Sequence, residues 1–224
     1  MIEKGPGNKY RYFYSMVAPT KSSILLFRDE NLLIQFKFDE IAIHFQAQNI
    51  SRTSLRIDWS KASISLDGTA SPVRTVRNFY DSTLTSFASM PIRPLGVLQD
   101  VVAPARNVVF DGKRWQNTEL LPTTDRNSQA VRETIHRWVG KKVGLVLPIQ
   151  VGPVVKQYQF TFAVDSVQQM AWNAYYALQR LPKLPSPPPA IPQVEDQMAA
   201  AAMVAGFLGF STYILTAKKI PPRE

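Results

Sequence analysis

Short segments with alternating apolar and polar side chains restrict the fold of this chain more than any other feature. The clearest runs from Glu40 to Gln48, with apolar residues at every odd position and polar residues at most even ones. Side chains two residues apart share a face of a strand, so this period predicts a half-buried strand. The preceding segment, Asn31 to Phe38, ends in the same alternation, and Asp39 and Glu40 are predicted to form the turn between the two.

Further strands are predicted along most of the chain up to residue 164. They are expected at Leu55 to Trp59, Ser63 to Leu66 before the turn Asp67-Gly68, Val73 to Phe79, Val108 to Phe110, Lys142 to Ile149 and Val155 to Val164. Many short strands at such spacing are typical of two packed antiparallel sheets. We therefore predict a mainly β fold, an immunoglobulin-like antiparallel β-sandwich, with a β-barrel as the main alternative.

Two segments have helical periodicity. Val131, Ile135 and Trp138 share one face of a predicted short helix. Ser166 to Leu181 is predicted to form a second helix, which ends a single domain over residues 1–181. Its apolar stripe is expected to pack on the sandwich; the alternative is a helix lying on a membrane surface.

A linker and a membrane span are predicted after this domain. Six prolines between Pro182 and Pro192 predict an extended linker over 182–197. The next 20 residues, Met198 to Ala217, carry no charge. At about 1.5 Å per residue, such a helix matches the roughly 30 Å hydrocarbon core of a bilayer. We predict a single transmembrane helix over 198–217 and a basic tail over 218–224, with a buried alanine-rich helix as the alternative.

Small residues recur at intervals of four in the predicted span. They are Ala201, Ala202, Ala205, Gly206 and Gly209. This spacing lets a second helix approach closely, so integral-membrane subunits of a larger complex are the predicted partners.

Two features give opposite predictions for the orientation of the domain. Basic residues after the span and acidic residues before it place the C-terminus inside. The first residues, however, lack the apolar core of a secretory signal. Because a short tail crosses a membrane more easily than a folded domain, we predict that the domain faces the cytoplasm rather than the periplasm.

The formal net charge of +9 favours anionic partners. Five basic residues lie within 26 positions and could line one face of a sheet: Arg52, Arg56, Lys61, Arg74 and Arg77. We predict that they contact an acidic subunit or anionic lipid headgroups, with solvated surface decoration as the alternative. The interleaved aromatics or reading helix of a nucleic-acid-binding protein are missing, so no nucleic-acid partner is predicted.

The residues that usually carry catalysis are scarce. The chain has no cysteine, which excludes disulfides and thiolate metal sites. Its two histidines, His44 and His136, lack metal-binding spacing, and His44 is expected to be solvated on the polar face of its strand. Nucleophile-elbow, phosphate-loop and dinucleotide motifs are missing. We predict no catalytic residues, no metal, no cofactor and no enzymatic activity.

The segment from Asn49 to Lys61, followed by Ser63 to Gly68, resembles β-sandwich domains of uncharacterised bacterial cell-envelope proteins. In that group an Asn-x-Ser/Thr turn leads into an Ile-Asp-Trp-x-Lys strand, as Asn49 and Ser51 precede Ile57 here. The later stretches 102–122, 140–149 and 158–162 are similar too. This resemblance implies a sandwich and no particular activity.

Together these features predict a membrane-anchored structural accessory subunit, a scaffold of a larger integral-membrane complex such as a respiratory or photosynthetic one. The alternative is a freestanding tethered module that binds anionic lipid or peptide at the membrane surface.

The substitutions Gly206→Leu and Gly209→Leu test the predicted packing face. Larger side chains would hold a partner helix away, so the protein should no longer be co-extracted with its assembly in mild detergent. Unchanged co-extraction would contradict this role of the two glycines.

Overall fold

The computed structural model describes residues 7–81 and 90–178. The predicted linker, the span over 198–217 with its five small residues, and the basic tail lie outside these residues. The described strands are β1 (Lys9–Ala18), β2 (Leu26–Arg28), β3 (Leu32–Phe38), β4 (Ile43–Asn49), β5 (Leu55–Ile57), β6 (Ser63–Leu66), β7 (Thr69–Arg74), β8 (Val97–Pro104), β9 (Val108–Phe110), β10 (Trp115–Asn117), β11 (Lys142–Val151) and β12 (Val154–Met170). The helices are α1 (Gln129–Arg137) and α2 (Trp172–Leu178), with 3-10 turns at Val76–Asn78 and Ala105–Asn107.

Ten of these strands form one antiparallel sheet in the order β1-β12-β11-β6-β7-β8-β4-β3-β2, with β5 also paired to β11. The two ends of this path approach each other, because Met16 in β1 exchanges two backbone hydrogen bonds of 2.9 Å with Ser22, shortly before β2. The sheet is therefore a nearly closed, barrel-like structure. The prediction of a mainly β, antiparallel fold with few helices is confirmed.

The strands form one curled sheet, which corresponds to the barrel alternative more closely than to two separate sheets. Alternation along a strand specifies which face is buried, but it does not specify how far a sheet curls. Curvature arises instead at irregular positions, and the pairing of β1 with β12 shifts register between Phe13 and Tyr14 and again between Met16 and Ala18.

The barrel interior is filled by aromatic and branched side chains from the inward faces of the strands. Phe160 packs against Phe36 and Phe27, with ring centroids 4.7 and 5.4 Å apart.

The predicted turn at Asp67 and Gly68 joins β6 to β7, and both residues have positive φ, 48° and 85°. That geometry matches the twist of a two-residue hairpin, which explains the Asp-Gly sequence.

The predicted turn between β3 and β4 is formed by Asp39. Its Oδ1 accepts hydrogen bonds from the N–H groups of Ile41 (2.7 Å) and Ala42 (2.6 Å). Because these bonds hold both residues in the turn, β4 begins at Ile43 rather than at Glu40.

One helix prediction is confirmed and the other is wrong in its first part. Helix α1 covers the segment predicted after Ala130. Residues 166–170, in contrast, continue β12 and pair with the first half of β1, so α2 begins only at Trp172. Pairing with β1, a strand that is distant in sequence, outweighs the helical periodicity of the apolar residues in this segment. The predicted strand over 73–79 likewise ends at Arg74 and is followed by a 3-10 turn.

Lys9 attaches α2 to the barrel. Its ammonium is buried, forms ion pairs with Glu40 and Glu119, and donates a 2.7 Å hydrogen bond to Thr123 Oγ1. The same nitrogen lies 4.7 Å from the ring centre of Tyr175 and 5.2 Å from that of Trp172, both in α2. A buried ammonium needs such partners, so α2 packs where it completes them.

Within residues 7–81 and 90–178, neither helix has the length and apolar character required to cross a bilayer.

The substitution Phe160→Ala should lower the free energy of unfolding by about 3–5 kcal/mol, because it leaves a cavity between Phe36 and Phe27. Denaturation by urea, followed by tryptophan fluorescence, measures this change. Val155→Ala, at an exposed position of the same strand, is the control and should change the free energy by less than about 0.5 kcal/mol. Equal losses in the two variants would contradict the interior position of Phe160.

Candidate functional site

The side-chain amide of Asn49, at the end of β4, joins two loops of the barrel. Its Nδ2 donates to the backbone oxygens of Thr53 and Ile92, each at 2.7 Å. Its Oδ1 accepts from the N–H (2.9 Å) and the hydroxyl (2.7 Å) of Ser51. Asn49 is 0 % exposed, and its bond to Ile92 is buried while the other three are partly buried. They order the loops over 50–54 and 91–96, which together with the β11–β12 hairpin tip over 152–155 we call the loop end.

The backbone of Asn49 holds the second loop as well. Its N–H donates to Gly96 and its carbonyl accepts from the N–H of Leu95, both at 2.9 Å. Leu95 has a φ of 60°, a conformation that costs energy for a residue with a bulky side chain. The same side chain is 74 % exposed. A strained and exposed leucine on a well-ordered loop is a feature that packing of the domain itself does not explain.

Three arginines are exposed at or beside the loop end. Arg52 lies in the first loop, Arg93 in the second, and Arg56 in β5, which begins directly after the first loop. Among the described residues, none of the three forms an ion pair within 4 Å. Their positive charge is therefore directed to solvent.

Two acidic residues beside the loop end are already engaged. Ile50 donates to the carbonyl of Asn31 at 2.9 Å, which places the β2–β3 turn beside the first loop. In that turn Glu30 pairs with Lys156, and Asp29 accepts a 2.8 Å hydrogen bond from the hydroxyl of Tyr158. The pKa of Glu30 is lowered, chiefly by its hydrogen bond from Lys156. These carboxylates therefore do little to neutralise the three arginines.

Apolar side chains are exposed beside the arginines. Val154 and Val155, at the start of β12, are 57 % and 54 % exposed. In the sheet Val155 lies opposite Gln150, which in turn lies opposite Arg56. Directly opposed residues share a face of the sheet and lie about 5 Å apart, so Val155 and Arg56 are on the same outer face, about 10 Å apart.

This arrangement can bind an anionic and partly apolar surface. A guanidinium donates to a carboxylate or phosphate in a planar, paired geometry. Exposed valine and leucine side chains beside it gain free energy when a partner covers them. The hydrogen bonds of Asn49 order the backbone that carries both kinds of group before any partner arrives.

The structure separates the five basic residues that were predicted to line one face. Arg52 and Arg56 lie together, as described above. Lys61 is exposed in the turn after β5 and pairs with Asp58 at 3.1 Å. Arg77 is exposed on the 3-10 turn that follows β7.

Arg74 is not at the surface: it is 4 % exposed. Its guanidinium donates to the backbone oxygens of Asn78 (2.9 Å) and Asp81 (2.7 Å), and it lies 5.3 Å from the ring centre of Trp115. Burial lowers the pKa of Arg74. It supports the turn after β7 and, in this position, has no contact surface for an anionic partner.

Four residues of the loop end were not predicted from the sequence as contact residues: Arg93, Leu95, Val154 and Val155. Arg93 and Leu95 lie beside Pro91 and Pro94, and the two valines directly follow a Gly-Pro pair. Proline and glycine next to these residues are the sequence signals that predict exposed loop tips at both places.

The two histidines have structural contacts. His44 is partly buried, with its Nε2 2.6 Å from Asp39 Oδ2, rather than solvated as expected. His136 packs edge-on against Tyr10, with ring centroids 5.9 Å apart. In the part of the chain that the structure describes, no three His, Asp or Glu side chains are grouped closely enough to hold a metal ion.

One carboxyl group in the interior is unusual. Burial of Asp100, in β8, raises its pKa to about 6, although its Oδ1 accepts hydrogen bonds from the N–H groups of Val76 (3.0 Å) and Val101 (2.8 Å). The side chain is thus held close to the 3-10 turn that contains Arg77. Its role in the described structure is to satisfy these two buried N–H groups.

Comparisons with protein-family models, curated proteins and solved structures gave no match.

The substitution Asp100→Asn should stabilise the protein at neutral pH but not in acid. Asp100 has an ordinary pKa of 3.8 and keeps its proton to about pH 6 in the fold. The folded state therefore binds more protons in this interval, and its stability falls as the pH rises through it. An asparagine oxygen can accept the same two hydrogen bonds without a charge, so the gain should grow from near zero at about pH 4 to on the order of 2–3 kcal/mol at about pH 7.

Urea denaturation of both proteins across this pH range measures the gain. Asp111→Asn is the control with the opposite sign, because N–H groups of Arg114 and Lys113 lower the pKa of Asp111 to about 2. Its substitution should therefore cost stability as the pH rises. A gain for Asp100→Asn that is the same at every pH would contradict the raised pKa.

Proposed function

We propose that this protein is a non-catalytic accessory subunit of a membrane protein assembly, and that its loop end binds an acidic, partly apolar surface of another subunit. The observation that carries this proposal is the group of three exposed arginines without an intramolecular ion pair in the described residues, set beside exposed Leu95, Val154 and Val155. The anchor would be the span predicted over 198–217, with the domain on the cytoplasmic side.

The composition of the loop end supports a protein partner. Arginine is enriched in protein interfaces and is over-represented among the residues that dominate their energy. Binding also requires that mobile side chains and loops become ordered, which opposes association. The hydrogen bonds of Asn49 already order the loops of the loop end when the protein folds. Less of the chain therefore has to become ordered when the partner binds.

The position of the loop end supports a partner away from the anchor. Strand β12 begins at the loop end with Val154 and ends at Met170, directly before α2. Its 17 residues extend about 55 Å when they are regular. The loop end and the helix from which the chain continues are thus at opposite ends of this strand, as expected for a subunit that joins two components.

The test is extraction of the tagged full chain from its native membrane in mild detergent, with sizing and mass spectrometry of the proteins that accompany it. The triple variant Arg52→Glu, Arg56→Glu and Arg93→Glu should lose its stoichiometric partners, because each guanidinium that met a carboxylate would be replaced by a like charge. The variant Arg106→Glu, Lys113→Glu and Arg137→Glu, with the same change of charge at other exposed positions, should keep them.

Two results would overturn the proposal. The unaltered protein could be recovered as a monomer or a simple dimer, which would exclude a stable assembly. Alternatively, the loop-end variant could retain all its partners, which would show that binding occurs elsewhere.

Anionic lipid is the second candidate partner of the loop end. The exposed apolar side chains beside arginines favour it, since such groups enter the interface of a bilayer while cations meet the headgroups. Amphipol-stabilised full chain would then bind phosphatidylserine vesicles but not phosphatidylcholine vesicles. Replacement of the three loop-end arginines by neutral residues removes three positive charges. It should weaken binding to phosphatidylserine vesicles by about 3 kcal/mol, on the order of 100-fold. Equal binding to the two lipids would exclude this candidate.

A further inference from the structure

The barrel wall has an opening between β1 and β3, which we call the window. At one end of it Tyr10 donates a 2.8 Å hydrogen bond to the carbonyl of Thr123, and at the other Met16 pairs with Ser22. Between these two contacts, no hydrogen bond joins β1 to β3 in the part of the chain that the structure describes. The wall is therefore incomplete over about five residues of β1.

Backbone N–H groups of β1 point into the window. Peptide groups alternate in direction along a strand, and both Tyr10 and Met16 direct their N–H groups away from β12. The N–H groups of Tyr12 and Tyr14, which lie between them, therefore point the same way. Within the described residues neither N–H has a hydrogen-bond acceptor.

The opposite edge of the window is the end of β3. Phe36 donates to the carbonyl of Leu25 at 3.0 Å, so its N–H points away from β4. By the same alternation, the N–H of Phe38 points away from β4, and it too has no acceptor among the described residues. Both edges thus present unpaired donors, and such edges are templates for a further strand.

The window opens into a cavity of about 190 Å³. Its wall includes the stacked rings of Tyr14 and Phe38, with centroids 3.8 Å apart, together with Leu25 and the partly exposed ring of Phe13. Pockets for drug-sized ligands are usually larger, about 300–1,000 Å³. The row of backbone donors along the window fits the carbonyl groups of an extended chain better than such a ligand.

The rim of the window is basic. Arg11 lies there with its guanidinium carbon 5.6 Å from the ring centre of Phe13, and it forms no ion pair with another described residue. Among the described residues that line the cavity, Asp39 alone is acidic, and it is engaged by His44 and by the turn N–H groups. The charge of the rim therefore complements an acidic ligand.

We propose that the window binds a short extended segment of a partner protein that carries acidic side chains, and that this segment adds to the edge of β1 as a further strand. Its carbonyls accept hydrogen bonds from the N–H groups of Tyr12 and Tyr14, with Phe38 on the opposite edge. One of its acidic side chains, on the outer face of the sheet, meets Arg11, which lies on that face beside Phe13. This site is separate from the loop end and does not depend on the function proposed for it.

The test uses amphipol-stabilised full chain and the acetylated, amidated peptide Val-Glu-Val-Glu-Val. Site-resolved hydrogen exchange should show exchange at the amides of Tyr12, Tyr14 and Phe38 slowed at least about tenfold by the peptide, because these N–H groups gain acceptors. The matched control is the same peptide N-methylated at every residue, which keeps its charge but has no N–H group to donate and carries methyl groups on both strand edges. It should bind at least about tenfold more weakly.

A variant separates the charge from the strand edge. Arg11→Glu should weaken binding of the peptide at least about tenfold, and Arg11→Gln serves if the first variant does not fold. Arg137→Glu, exposed on α1, is the control for the change of net charge and should bind normally. The triple variant of the loop end should also bind normally, so failure of this proposal is distinguishable from failure of the proposed function.

Four outcomes would overturn the proposal. They are no binding of the peptide, equal binding of the N-methylated peptide, protection of amides other than those of the window, and protection of the window amides in free protein at rising concentration. The last result would assign the edge to a second copy of this chain.

Discussion

The buried amide of Asn49 is the interaction on which the functional surface of this protein depends. Its two side-chain atoms satisfy four groups, two carbonyl oxygens and the two donors of Ser51. No aliphatic side chain can do this, and an unsatisfied buried group costs about 1–3 kcal/mol. Because the bonds reach both loops, the conformation that exposes Leu95 and the arginines is determined inside the domain.

Burial separates the charges that hold the fold from those that are available to a partner. Lys9 and Arg74 are almost completely buried, and each is surrounded by carboxylates, carbonyl oxygens or aromatic rings. Moving such a group would leave its partners unsatisfied, so both are structural. Arg11, Arg52 and Arg93 in contrast have no ion-pair partner among the described residues, and their charge can serve recognition.

The way in which the barrel closes also creates its second candidate surface. In the part of the chain that the structure describes, one backbone pair, Met16 and Ser22, joins β1 to the segment before β2, and β2 has only three residues. A longer β2 would cover the edge of β1, as closed barrels do. The short strand leaves the window open, at a distance from the loop end, so two different partners could be held by one domain.

The sequence alone determined the class of fold, because alternation and turn chemistry act over a few residues. The strands β3, β4, β6 and β9, the Asp67-Gly68 turn and α1 were predictable from such local patterns. Of the candidate site, Arg52 and Arg56 could be predicted as cations available to an anionic partner, and the resemblance to β-sandwich domains implied the turn at Asn49 that precedes them. Each of these features depends on neighbours in the chain.

Only the tertiary structure decided how the strands curl into a barrel and which charged residues remain exposed. Residues 166–170 became a strand because β1 offers an edge some 150 residues away, and Arg74 became buried because the turn after it offers carbonyl oxygens. Arg93 was brought beside Arg52 and Arg56 by the hydrogen bonds of Asn49 and by the backbone pair Leu55 and Ile92. These outcomes depend on contacts between distant segments, which hydrophobic periodicity does not encode.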